Sequence, residues 1–130
     1  MNILAGADNG RLYILNVSSN RLSRTITVGV DEEDVDIFSL AIANLDEYLE
    51  GEILATSSDK HLWTYKHDGK LLWTYIFSSL PEVVLVQDID FDETIDIVVG
   101  SSSGLLYVLN ETGYLRWDYL NNDPVYDLVI

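Results

Sequence analysis

Short apolar runs with polar residues interleaved, each cut off by a cluster of turn-forming residues, fill this 130-residue chain from end to end. His61 to Tyr65 alternates side by side along the chain, and Ser57-Ser58-Asp59-Lys60 before it and His67-Asp68-Gly69-Lys70 after it are turn signals. Alternation with period two marks a strand, and turns every 8 to 12 residues mark antiparallel neighbours. Ile37 to Ala43 is apolar with small residues between, the pattern of a strand buried on both faces. Strands are also expected over Glu52 to Thr56, Leu71 to Phe77, Val83 to Asp88, Asp96 to Gly100, Leu105 to Leu109 and Tyr114 to Tyr119. Gly69 is expected to take a positive φ in its hairpin. No segment carries a helical apolar stripe, so the chain is expected to be all-β.

The strands recur with a period of 44 residues. Laying 46–75 over 90–119 brings Ser57 onto Ser101, Leu62 onto Leu106, Gly69 onto Gly113 and Trp73 onto Trp117. A fixed period of this size means one supersecondary unit used repeatedly, each copy burying its apolar face on the next. Four strands, A to D, make a unit, and four-stranded antiparallel units arranged radially are the blades of a β-propeller. The units are expected at 1–30 (strands B, C and D), 35–78 and 81–120 (A to D each), and 124–130 (a lone strand A).

Three blades are too few for a propeller, whose rings hold four to eight. The incomplete ends suggest a homodimer of six blades, in which the terminal strand of each chain completes the first blade of the other. Val125, Tyr126, Leu128, Val129 and Ile130 would then lie along Ile3, Leu4 and Ala5 of the partner copy. A nine-bladed trimer is the second arrangement, and a piece of a longer propeller is the competing account. Recurrence also assigns Trp63, Trp73 and Trp117 to packing between blades rather than to ligand stacking.

Two motifs carry a family resemblance. Gly100 to Trp117, with Thr112-Gly113 at its hairpin, resembles a blade of the pyrroloquinoline-quinone-type, tryptophan-docking propellers, and Asp68-Gly69-Lys70-Leu71-Leu72-Trp73 is similar. The resemblance implies that the tryptophan stacks on the neighbouring blade; the first unit has Arg24 in its place. Asp88 to Gly100 is similar to FG-GAP blades, whose loop between strands A and B carries calcium. Asp88, Asp90, Asp92 and Asp96 stand at positions 1, 3, 5 and 9 of that loop, and the Thr94 carbonyl at position 7 is a further oxygen. Calcium takes six to eight such hard oxygens. Glu93 stands where a glycine would ease the turn, and no glutamate follows at position 12. The matching loop Asn44 to Glu52 has Tyr48 at position 5, which argues against metal there.

Composition narrows the functions. Seven basic against 22 acidic residues give a net charge of −15, which repels nucleic acid. The run Asp31-Glu32-Glu33-Asp34-Val35-Asp36 reads as a solvated loop. Without cysteine there is no disulfide or thiolate site. No leader or membrane span is visible, which leans toward the cytoplasm. His61 and His67 lack the surroundings of a catalytic pair, and no cofactor beyond calcium is indicated. The expected function is a non-catalytic propeller scaffold for macromolecular interaction. Two alternatives stand beside it: a calcium-binding adhesion or glycan-binding module, and an enzyme whose site forms at the subunit interface from His61 or channel carboxylates.

Overall fold

The computed structural model describes residues 1–29, 35–46 and 50–130. Their eleven strands lie in three antiparallel meanders, each of hydrogen-bonded sequence neighbours. The first holds β1 (Asn2–Gly6), β2 (Arg11–Asn16) and β3 (Arg21–Thr27). The second holds β4 (Ile37–Ala43), β5 (Glu52–Ser57), β6 (His61–Tyr65) and β7 (Leu71–Ile76). The third holds β8 (Pro81–Gln87), β9 (Asp96–Ser101), β10 (Leu105–Asn110) and β11 (Leu115–Leu120). β1 packs on β4 and β4 on β8, so the sheets stack face to face like consecutive propeller blades. Among the described residues no helix is long and apolar enough to cross a membrane.

Side-chain alternation builds the stack. On the second blade Ile53, Ala55, Trp63 and Tyr65 face one way and meet Leu12, Ile26 and Val28 of the first. Leu54, Leu62 and Phe77 face the other way and meet Ile97, Val99, Tyr107 and Leu109 of the third. Successive residues of β5 thus serve opposite interfaces, and the whole strand is buried. Each fully buried leucine here contributes about 1.5–3 kcal/mol. Trp63 is inter-blade core, as its period predicts.

All three outer hairpins carry the same bulge. The ladder slips between Ile14 and Leu15, between Thr64 and Tyr65, and between Val108 and Leu109, leaving Ser23, Leu72 and Arg116 as the extra residues. The turn before each bulge holds a left-handed residue: Asn20 at φ 52°, Gly69 at 89° and Gly113 at 85°. The positive φ expected of Gly69 is therefore present.

β8 begins two residues earlier than its apolar run suggests. Pro81 opens it opposite Ser101, ahead of a register shift before Val83. A proline fits the first position of a strand, where its missing N–H breaks no ladder bond. Residues 121–130 belong to no strand. Val125 is nonetheless seated: its N–H donates to the Ser101 carbonyl at 3.0 Å, and its side chain closes over Gly100 as Ile37 closes over Gly6. Ile37, Pro81 and Val125 share the 44-residue spacing, so Val125 occupies the opening position of a next blade. Among the described residues β1 has a neighbour on one side only, and Ile3 and Ala5 are exposed, as are Tyr126, Val129 and Ile130.

Candidate functional site

Antiparallel order sorts the loops onto two faces. The A–B and C–D connections share one face, and the B–C and D–A connections share the other. Asp88 to Asp96 therefore lies on the same face as residues 44–46 and 50–51. Asp36 is tied to the opposite face, where its N–H donates to Ser58 Oγ at 2.9 Å and its carbonyl accepts the Ser58 N–H. The remainder of the acidic run, 31–34, lies outside the described residues, as do 47–49.

The loop 88–96 gathers carboxylates. Single oxygens of Asp88, Asp90 and Asp96 lie within 4.8 Å of one another. Most of their capacity is spent on the loop. Asp88 accepts the Asp92 N–H at 3.2 Å and the Glu93 N–H at 3.0 Å. Asp92 accepts the N–H and the hydroxyl of Thr94 at 2.9 and 2.5 Å. These bonds hold a turn in which both Phe91 and Glu93 have positive φ, at 62° and 69°. Asp96, fully buried at the start of β9, accepts the Ile89 N–H at 3.1 Å. Glu52 repeats that role at the start of β5, accepting the Leu45 N–H at 2.7 Å. The position is a staple that closes the A–B loop onto its own blade.

Among these carboxylates stands the guanidinium of Arg116, a residue the motif reading did not include. It binds Asp96, meets Asp90 Oδ2 at 2.9 Å and lies 3.6 Å from Asp92. Arg116 reaches them because it is the bulged residue of β11, and a bulge re-aims its side chain. The hydrogen bond and charge of Asp96, followed by Asp90, raise the Arg116 pKa further. The Thr94 hydroxyl and then its N–H hold the Asp92 carboxyl below the usual range. Of the five residues expected to ligate calcium, Asp88, Asp90 and Asp96 converge, while Asp92 and Thr94 are bonded to each other. A cation in this cluster would compete with Arg116 for the Asp90 and Asp96 oxygens.

The opposite face holds a second polar group. Buried Ser57 donates to Asp59 and accepts the Trp63 indole N–H at 3.1 Å. His61 stacks on Trp63 with centroids 4.7 Å apart, and its Nδ1 lies 3.4 Å from the Asp59 carboxylate. Serine, aspartate and histidine thus meet on one turn, although their order in the chain gives no such signal. The serine is bound to the carboxylate rather than to the imidazole and is fully buried, so the group pins the turn. His61 is half-buried, whereas His67 is exposed and pairs with Glu50 at 2.5 Å.

Between blades, Trp73 lies against the third blade's hairpin. A Cβ on Gly113 would fall 2.6 Å from its ring. At the preceding junction Arg24 takes the tryptophan's place, and its Nη1 donates to the Asp68 carbonyl at 2.5 Å beside Gly69. The next tryptophan, Trp117, is half exposed.

Stacked meanders of three and four strands, with repeated bulges and a docked tryptophan, define a partial β-propeller. Solved structures agree: Sqt1 of Saccharomyces cerevisiae superposes with a TM-score of 0.80 at 18% identity, over 98% of this chain and 32% of that one. BBS1N, from a crystal of its complex with ARL6DN, gives 0.73 at 16%, over 96% and 37%. Within the propellers, residues 52–130 match the lambda-carrageenase beta-propeller domain, and the chain belongs to that family. Lambda-carrageenases of Pseudoalteromonas carrageenovora and of another Pseudoalteromonas are 30% identical over 80 residues. That stretch is 60% of this chain, which spans 8% of the length of these curated relatives.

Proposed function

We propose that this chain is a non-catalytic propeller scaffold that meets other macromolecules through its blade faces and end loops. The observation that carries this reading is where polar and apolar groups are spent. The polar clusters close on themselves, with Arg116 among the loop carboxylates and Ser57 on Asp59 and Trp63. Large apolar side chains instead face outward at both ends of the stack. Trp117 and Tyr119 do so on the third blade, and Ile3, Val17 and Leu22 on the first. Exposed apolar patches of this kind mark interaction surfaces. A fold neighbour crystallised with a protein partner is in keeping with it.

In this reading a second copy completes the stack. Val125 to Ile130 of one chain adds to the free edge of β1 in the other, and Trp117 meets the partner's first hairpin. Six blades would close the ring as a dimer, with nine in a trimer as the next arrangement. Amide hydrogen exchange tests the pairing. Protection of residues 2–6 and 125–130 that rises with protein concentration is expected. Exchange there at unprotected rates over the whole concentration range would overturn it.

Glycan binding is the second reading, favoured by family membership, because the relatives are named for an activity on carrageenan. It assigns the chain the part of a sugar-binding module rather than of the catalytic unit. Calcium enters either reading as a competitor of Arg116.

A further inference from the structure

The slot between the first and second blades differs from its counterpart between the second and third. At the counterpart the chain carries Trp73, Leu72 and Ile95, and Trp73 packs against the core. At the equivalent positions of the first slot stand Arg24, Ser23 and Gly51. A cleft of about 350 Å³ opens there, floored by Leu4, Ile14, Ile42 and Ile53. Asn2, Arg24, Glu50 and His67 form its polar rim. The fold supplies a slot at both junctions, and the described residues leave the first of them open.

We propose that this cleft binds one pyranose unit of a glycan, carrying a single anionic substituent. The size falls within the range of small-ligand sites, roughly 300–1,000 Å³. An aliphatic floor suits the C–H face of a sugar ring. Its hydroxyls both donate and accept, and the rim matches them: Glu50 accepts, Asn2 does both and Arg24 donates. Arg24 spends one N–H on the Asp68 carbonyl, which fixes its planar fork at the rim. The remaining donors suit an oxyanion, either a carboxylate or a sulfate ester. His67, on the same rim, pairs with Glu50 at 2.5 Å. One anionic group is the fitting number, because a chain of net charge −15 repels a dense polyanion everywhere except beside such a local cation. The proposal rests on the glycan-binding reading of the family.

Titration calorimetry of the full chain with glucuronic acid, galactose 6-sulfate and galactose tests it, with amide NMR shifts to locate the ligand. Saturable binding is expected, with at least one anionic sugar about tenfold tighter than galactose, equivalent to about 1.4 kcal/mol. The shifts should centre on Arg24, Gly51 and His67. Arg24→Trp restores the residue used at the next junction, and Ser23→Leu fills the slot independently. Each should abolish binding without lowering the melting temperature. Binding retained in both filled variants would overturn the site and leave the glycan reading standing. So would retention of the protein on a polysaccharide gel without any monosaccharide binding. Failure of both sugar and gel to bind would overturn site and reading together.

Discussion

Arg116 turns an acidic loop into a closed structure, and its neighbours explain why. Asp96 is fully buried, so its charge needs a partner, and the guanidinium is the cation among the described residues that reaches it. Arg116→Ala should lower the melting temperature by roughly 5 °C or more, with Arg116→Lys intermediate, as read by calorimetry. The same substitution frees the Asp90 and Asp96 oxygens. Millimolar calcium should therefore raise the melting temperature of the alanine variant more than that of the wild type. Equal calcium shifts in the two proteins would contradict the competition. Acid should act on the same loop. The folded Asp92 carboxyl is depressed, first by the Thr94 hydroxyl. Its contribution is present above the unfolded value of about 3.9 and is lost as the pH falls through the folded one. A melting temperature steady near neutrality and falling below about pH 4 is expected, with a shallower fall in Asp92→Asn.

Among the elements, the hairpin glycines separate two junctions that look alike in sequence. Gly69 and Gly113 have nearly the same φ, 89° and 85°. A Cβ on Gly113 meets the Trp73 ring at 2.6 Å, whereas one on Gly69 meets Ile26 at an ordinary 3.4 Å. Gly69→Ala should cost about 1–2 kcal/mol from the left-handed backbone alone. Gly113→Ala should cost about 1–3 kcal/mol more from overpacking. Denaturant melts of the two variants check the difference, and Trp73→Ala should erase most of it in the double mutant. Strand positions were legible in the residues because the alternation of His61 to Tyr65 and its copies decides which face each side chain takes. Trp73 could be assigned to packing between blades in advance because it recurs at Trp117. Arg116 could not, since its equivalents are Leu72 and Ser23 and its aim depends on a bulge that no residue type announces. The Ser57, Asp59 and His61 cluster escaped for a related reason: those residues meet through a turn, not through a motif. The start of β8 was missed because Pro81 reads as a breaker, although it suits a first position.

For the whole molecule, the proposed pairing of copies turns on the two end faces of the described stack. Val125 sits where a next blade begins, and Trp117 is half exposed; in the proposed pair it would meet that blade's hairpin. In a second copy the hairpin position is Asn20, whose Cβ stands where Gly113 has none. The junction between copies should therefore be wider than that at Trp73 and the weakest in the ring. Asn20→Gly should strengthen self-association and Trp117→Ala should weaken it, each by about tenfold or more in the dissociation constant. A net charge of −15 adds repulsion between copies, so added salt should favour the pair. The absolute mass in solution, measured by light scattering across a concentration series, tests the closed stack most directly. A mass rising to that of two chains, at lower concentration for Asn20→Gly, is the predicted result; a single-chain mass at every concentration for both proteins would contradict it.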